Sequence, residues 1–150
     1  MKPKERIIKE ISTTVTFECF PDPPDDLRSA FKTLEDWLTE ICTNEKPTKP
    51  VGRLEFELTY WEQLDEHGYY LNFVGQNDYQ TATGIKRKIE FKPANMFFRL
   101  ANVDYEKLDY KQVVLKLIGR VKDFTKTEIF KNFYSAHPGS LYFNGIDISP

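Results

Sequence analysis

Residues 60–70, Tyr-Trp-Glu-Gln-Leu-Asp-Glu-His-Gly-Tyr-Tyr, bring three carboxylates (Glu62, Asp65, Glu66), one histidine (His67) and four aromatic rings, Trp61 among them, into one short stretch. Two more carboxylates, Glu55 and Glu57, stand just before it. Such a set suits two chemistries. Carboxylates flanking a cleft, one with a raised pKa, can serve as acid and base in a hydrolase or transferase. Acidic groups interleaved with rings can instead steer and anchor a basic protein partner. Glu55 and Glu57 lie two apart on what alternation predicts to be a solvated strand face, where both would stay ionised. A chain of 150 residues also offers little material for a deep substrate cleft. The binding surface is the expectation, with Glu55, Glu57 and Trp61 on a strand face and Glu62, Asp65, Glu66 and His67 at a hairpin tip.

Other chemistries have weaker footing in the residues. The two histidines, His67 and His137, are seventy positions apart with no HExxH or CxxC pattern, whereas zinc takes three or four such ligands. No metal or cofactor is expected. Cys19 falls in a predicted strand and Cys42 at the end of a predicted helix, so both are expected to be buried free thiols rather than nucleophiles. Glycine-rich phosphate cradles of the G-x-G-x-x-G or Walker type are missing. Lys86-Arg87-Lys88 is a small basic run in a chain of net charge −2, a poor footprint for nucleic acid and a good edge-strand guard.

The elements that would position these groups can be drawn from periodicity. Residues 13–20 are β-branched and aromatic and predict a first strand. Asp22 and Pro23 look like the cap and first residue of a helix carrying Leu27, Phe31, Leu34, Trp37, Leu38 and Ile41 on one stripe, closed by the prolines of 43–50. Residues 53–61 alternate, with Leu54, Phe56, Leu58 and Tyr60 facing one way and Glu55, Glu57 and Thr59 the other, as in an antiparallel sheet with one wet face. A second strand at 69–75 makes 62–68 the hairpin loop, with Gly68 free to take positive φ. A polar loop over 76–84 is followed by a strand at 84–93, and 96–103 reads as a short strand or an irregular packed segment. From Asp109 the period turns helical as far as Val121. Thr125 and Glu128 have capping-box spacing for a short second helix, and 141–148 is a terminal strand or β-like tail. The whole, residues 1–150, is a single α+β domain: a mostly antiparallel β-sheet packed against an N-terminal helix and two C-terminal helices.

Composition sets the outer bounds. With 40% hydrophobic and 29% charged residues the chain is of globular type. It has no apolar run of the roughly 20 residues that span a bilayer and no signal-like N-terminus, so the cytoplasm is the expected compartment, without membrane contact. Residues 20–75 carry five basic against twelve acidic groups, giving −7, while 76–150 carry twelve against eight, giving +4. That asymmetry fits a basic partner, provided the charges do not mix in space on folding.

The run LKLIGRVKDFTKTEIFKNFYSAHPGSLYFNGIDIS (115–149), with Phe130-Lys131-Asn132 on the second short helix and then a terminal strand, resembles the C-terminal part of bacterial immunity proteins. These are small cytoplasmic α+β proteins that neutralise a cognate polymorphic toxin, including those of contact-dependent growth inhibition systems. LTYWEQL (58–64) is similar too, and Asn144-Gly145 stands where the pattern suggests an Asp-Gly. The resemblance implies a non-enzymatic protein whose partner is the toxin's C-terminal domain, often a nuclease. It fixes no binding residues, and it leaves monomer or homodimer open. A surface-carboxylate hydrolase or transferase, and an interaction module for another partner, remain the alternatives.

Overall fold

The computed structural model describes residues 14–23, 31–63, 66–136 and 139–150. Their elements run in the order β1 (Thr14–Phe17), α1 (Leu34–Asn44), β2 (Arg53–Gln63), β3 (Glu66–Thr81), β4 (Gly84–Phe91), β5 (Phe97–Arg99), α2 (Asn102–Tyr105), α3 (Tyr110–Phe124), α4 (Glu128–Ala136), β6 (Ser140–Phe143) and β7 (Ile146–Asp147). The expected α+β class holds, and the sheet is mostly antiparallel. Its strand order is β1-β4-β3-β2-β6-β7, with β5 pairing β3 along a different stretch from β4. Among the described strands, β1 on β4 and β6 on β2 run parallel. No described helix is long and apolar enough to cross a membrane.

Alternation on β2 and β3 fixes which side of the sheet the helices cover. Leu54, Phe56 and Leu58 on β2 meet Leu71 and Phe73 on β3, and Phe143 of β6 stacks 6.1 Å from Phe56. Against this layer α1 presents Leu34, Trp37, Leu38 and Ile41, α3 presents Val113, Leu117 and Val121, and α4 presents Phe130 and Phe133, all buried. Trp37 is the keystone of the inner layer. It stacks 5.5 Å from Phe98, and its indole N–H donates to the Asn95 carbonyl at 2.6 Å, so the one polar atom of the ring is satisfied. Burying such side chains contributes about 1.5–3 kcal/mol each, which is what holds helices of nine to fifteen residues in place.

Several boundaries differ from the periodicity. α1 starts at Leu34, capped by Thr33, whose side chain accepts from Asp36 N–H at 3.1 Å, with Glu35 and Asp36 in the first turn. Asp22 and Pro23 sit in irregular backbone, Phe31 packs on the core from outside the helix, and Leu27 lies outside the described residues. Stripe spacing alone cannot tell a helical residue from a packed neighbour. The segment expected as a loop over 76–84 is strand down to Thr81, because a backbone ladder to β4 needs no apolar side chains. Gly68 is likewise not a turn residue; it pairs with Trp61 in a ladder that runs out to Gln63 and Glu66. The segment 96–103 resolves into β5 and the first residues of α2.

Asp109 and Gln112 form a capping box at the start of α3, as the change of period there suggests. Thr125 does not cap α4. Its hydroxyl donates to Lys122 O at 2.6 Å in the last turn of α3, and Thr127 instead accepts from Phe130 N–H at 3.3 Å. The terminal segment is a hairpin, β6 and β7 joined at Asn144 (φ 49°) and Gly145 (φ 80°), two positive φ values of the kind tight hairpin turns require.

Candidate functional site

The sheet face away from the helices is not the open wet surface that alternation suggests. Beyond Phe17 the chain is tied to β4, with Glu18 N–H donating to Arg87 O at 2.9 Å and the Glu18 carboxylate accepting from Ile89 N–H at 2.7 Å. Residues 17–22 thereby wall a pocket of about 690 Å³ over the outer face of β2 and β3. Its polar floor is two facing rows: Arg53, Glu55, Glu57 and Thr59 from β2, and Gln76, Asn72 and Tyr70 from β3. In register Arg53 stands opposite Gln76, Glu57 opposite Asn72 and Thr59 opposite Tyr70.

One end of this floor is internally neutralised. Arg53 Nη2 lies 2.9 Å from Glu55 Oε2, with the guanidinium 3.6 Å above the Tyr142 ring, and Gly145 N–H donates to Glu55 Oε1 at 3.1 Å. Arg87 makes a two-pronged pair with Asp78 at 2.7 and 3.0 Å and covers the Phe17 ring at 5.0 Å. The other end is not. Glu57 is pushed above the ordinary glutamate pKa, first by burial and then by the negative charge of Glu55, with only hydrogen bonding by Thr59 acting the other way. Glu55 is only 7% exposed, and burial pushes its pKa up as well, outweighing Arg53 and the Gly145 amide. Among the described residues, Asn72 Oδ1 and Gln76 Oε1, on side chains 1% and 3% exposed, accept no hydrogen bond, and Arg53 Nε donates none. Each unmade bond of this kind costs about 1–3 kcal/mol.

The seven residues singled out from the sequence do not form one surface. Cross-strand pairs share a face, so Tyr60 with Tyr69 and Glu62 with His67 lie on the helix side of the hairpin, opposite to Glu55 and Glu57. There Tyr60, 48% exposed, meets Tyr69 edge-on at 5.3 Å and the His67 ring at 6.2 Å, beside a hollow of about 150 Å³ shared with Tyr105 and Leu108. Glu62 and His67 are exposed, and the His67 carbonyl accepts from the Asn102 side chain at 2.9 Å. Trp61 pairs with Gly68 and Glu66 with Gln63 in the ladder, their side chains outside the described set; Asp65 lies outside the described residues altogether.

Sequence reasoning missed Arg53, Arg87, Asn72 and Gln76. A signal was available for two of them. Asn72 and Gln76 repeat at even spacing through an otherwise apolar strand, which is the period of one sheet face. Cys19, expected to be buried, is exposed at the pocket wall beyond the end of β1, whereas Cys42 is buried as expected; both are free thiols. No protein-family model, curated protein or solved structure matches the chain.

Four carboxylates line the pocket: Glu18, Asp22, Glu55 and Glu57. Glu18 accepts from Ile89 N–H, Glu55 is held by Arg53 and the Gly145 amide, and Asp22 is exposed in the wall, so on the floor itself Glu57 is the carboxylate without a described basic partner. At the Glu57–Asn72 end the unpartnered groups share a demand for donors and positive charge.

Proposed function

We propose that this chain is a binding protein rather than an enzyme: an immunity protein of the cytoplasm that neutralises a cognate bacterial toxin domain by covering its basic substrate surface. The observation that carries this is Glu57, a half-buried carboxylate raised by burial and by Glu55, beside the unpartnered acceptor of Asn72. A basic partner would supply the missing charge, and the exposed acids of the hairpin, such as Glu62, would steer its approach. The resemblance of residues 115–149 to immunity proteins supports the choice of a toxin as that partner, and a nuclease toxin would offer the basic surface.

Co-expression with the C-terminal domain encoded immediately upstream tests it. A stoichiometric complex that survives moderate salt, and that Glu57→Lys breaks, is the expected result. An upstream product that is harmless alone and forms no complex overturns the toxin partner.

The rival hydrolase or transferase has one specific observation in its favour, that Glu55 and Glu57 share a walled pocket and both titrate above the ordinary range. It requires Glu57→Gln to abolish turnover of some substrate while the fold persists.

A further inference from the structure

We infer that the Glu57–Asn72 end of the outer-face pocket is a receptor for a guanidinium or ammonium group, carried as an arginine or lysine side chain on a short segment of a protein partner. This rests on the reading of a basic partner given above and names where and how that partner's charge is held.

Four groups define the ligand. Among the described residues no arginine or lysine acts on the Glu57 carboxylate, and directly across the ladder the Asn72 carbonyl oxygen is buried without a described donor. Two acceptors side by side, one charged, suit a cation with several N–H donors rather than a bare or methylated charge. Four residues along both strands, about 13 Å at the strand rise, Arg53 Nε is an unused donor opposite the unused acceptor of Gln76. That separation is beyond one cationic head. A peptide segment satisfies both ends, with its basic side chain at Glu57 and a backbone amide, one donor and one acceptor, at Gln76 and Arg53. The pocket's volume of about 690 Å³ leaves room for such a segment. Phe17, Phe20 and Pro21 in its wall offer apolar surface to the aliphatic stem of the side chain.

The test uses the isolated chain, with N-acetyl-arginine amide as probe. The readout is the side-chain amide signals of Asn72 and Gln76 in nitrogen-15 spectra. Saturable shifts of both signals are expected. N-acetyl-citrulline amide, neutral and nearly isosteric, and tetramethylammonium, charged but without donors, should leave them in place. Glu57→Gln and Asn72→Leu should each weaken the arginine probe, the first by roughly ten- to hundredfold, in proteins whose backbone spectra show the native fold. Equal response to arginine and citrulline probes, or no response at either amide, overturns the proposal. Agmatine binding more tightly than the blocked arginine would overturn the peptide and identify a free small cation. Shifts obtained here without any complex with the upstream domain would leave the pocket standing and sink the toxin; a complex without shifts would do the reverse.

Discussion

Arg53 Nη2 lies 2.9 Å from Glu55 Oε2, and among the described residues no such partner stands beside Glu57, the next carboxylate on the same strand face. The two neighbours therefore respond oppositely to neutralisation although both pKa values are raised. Removing Glu55 leaves Arg53 half-buried and uncompensated and strips the Gly145 amide of its acceptor, so Glu55→Ala should cost about 3–5 kcal/mol. Removing the charge of Glu57 relieves burial and repulsion, so Glu57→Gln should raise the thermal midpoint at neutral pH, by about 2–4 °C for each kcal/mol. The pH dependence has a definite sign. A carboxyl whose folded pKa is raised contributes stability fully below its ordinary pKa and loses it as pH rises through the folded value. Wild type should therefore lose stability over that window, and Glu57→Gln should lose less. Melting both proteins between about pH 4 and pH 8 decides it; a Glu57→Gln protein less stable than wild type at pH 7 contradicts the placement of this carboxylate.

Arg120 joins three helices. Its guanidinium meets Glu35 of α1 at 3.1 and 2.7 Å and the Tyr105 hydroxyl of α2 at 2.6 Å. The hydrogen bonds from Arg120 hold the Glu35 carboxyl below its ordinary pKa. The sign is the reverse of that for Glu57: this stability is present above the ordinary glutamate pKa and is lost as pH falls through the depressed value. Both side chains remain partly solvated, 45% for Glu35, so screening limits the pair to roughly 0.5–1 kcal/mol. A double-mutant cycle of Glu35→Gln and Arg120→Gln, read by urea unfolding at neutral pH, should give a coupling of that size. A coupling near zero would mean the pair is replaced by water at no cost.

Where one physical signal dominates, the sequence and the structure agree. The stripe through Leu34, Trp37, Leu38 and Ile41, the alternation at Leu54, Phe56 and Leu58, and the helix that follows Asp109 all appear as expected, because apolar burial leaves few alternatives. The ladder from Gln76 to Thr81 was invisible to periodicity, since the hydrogen bonds to β4 are backbone bonds. The pocket was hidden for a different reason. Whether Glu55 is solvated depends on where residues 17–22 go after β1, a long-range fact with no local signature. Opposite charges from the acidic and basic parts of the chain also meet in space: Glu35 pairs with Arg120, and Lys49 with Glu90.

Two glycines should respond to alanine with opposite signs. Gly119 lies on the exposed side of α3, and a Cβ there would meet nothing within 4 Å. Gly119→Ala should stabilise by about 0.5–1 kcal/mol through helix propensity. Gly139 precedes β6 against the start of β2, where a Cβ would come within 2.6 Å of the Val51 carbonyl oxygen and 2.8 Å of the Gly52 carbonyl carbon. Backbone cannot rotate away as a side chain does. Gly139→Ala should push β6 off β2, break the Ser140 N–H to Gly52 O bond, and cost about 1–3 kcal/mol. Urea midpoints of the two variants on either side of wild type are the expected outcome.

The two thiols should differ sharply in reactivity. Cys42 sits in the last turns of α1 among core side chains, and burial pushes its pKa up to about 12. At pH 7 its thiolate fraction is then about one in 10⁵, and the reagent has no path to it while α1 is docked. Cys19 is exposed at the wall of the outer-face pocket. An aromatic disulfide reagent added to the native protein should therefore label one thiol promptly, and Cys19→Ser should abolish that phase. The second thiol should react at a rate set by opening of the α1 layer, rising with urea in step with unfolding. The ordering of the two should be the same at pH 7 and at pH 9. Two thiols reacting at equal rates in the native protein would place Cys42 outside the core and unseat the packing of α1 on the sheet.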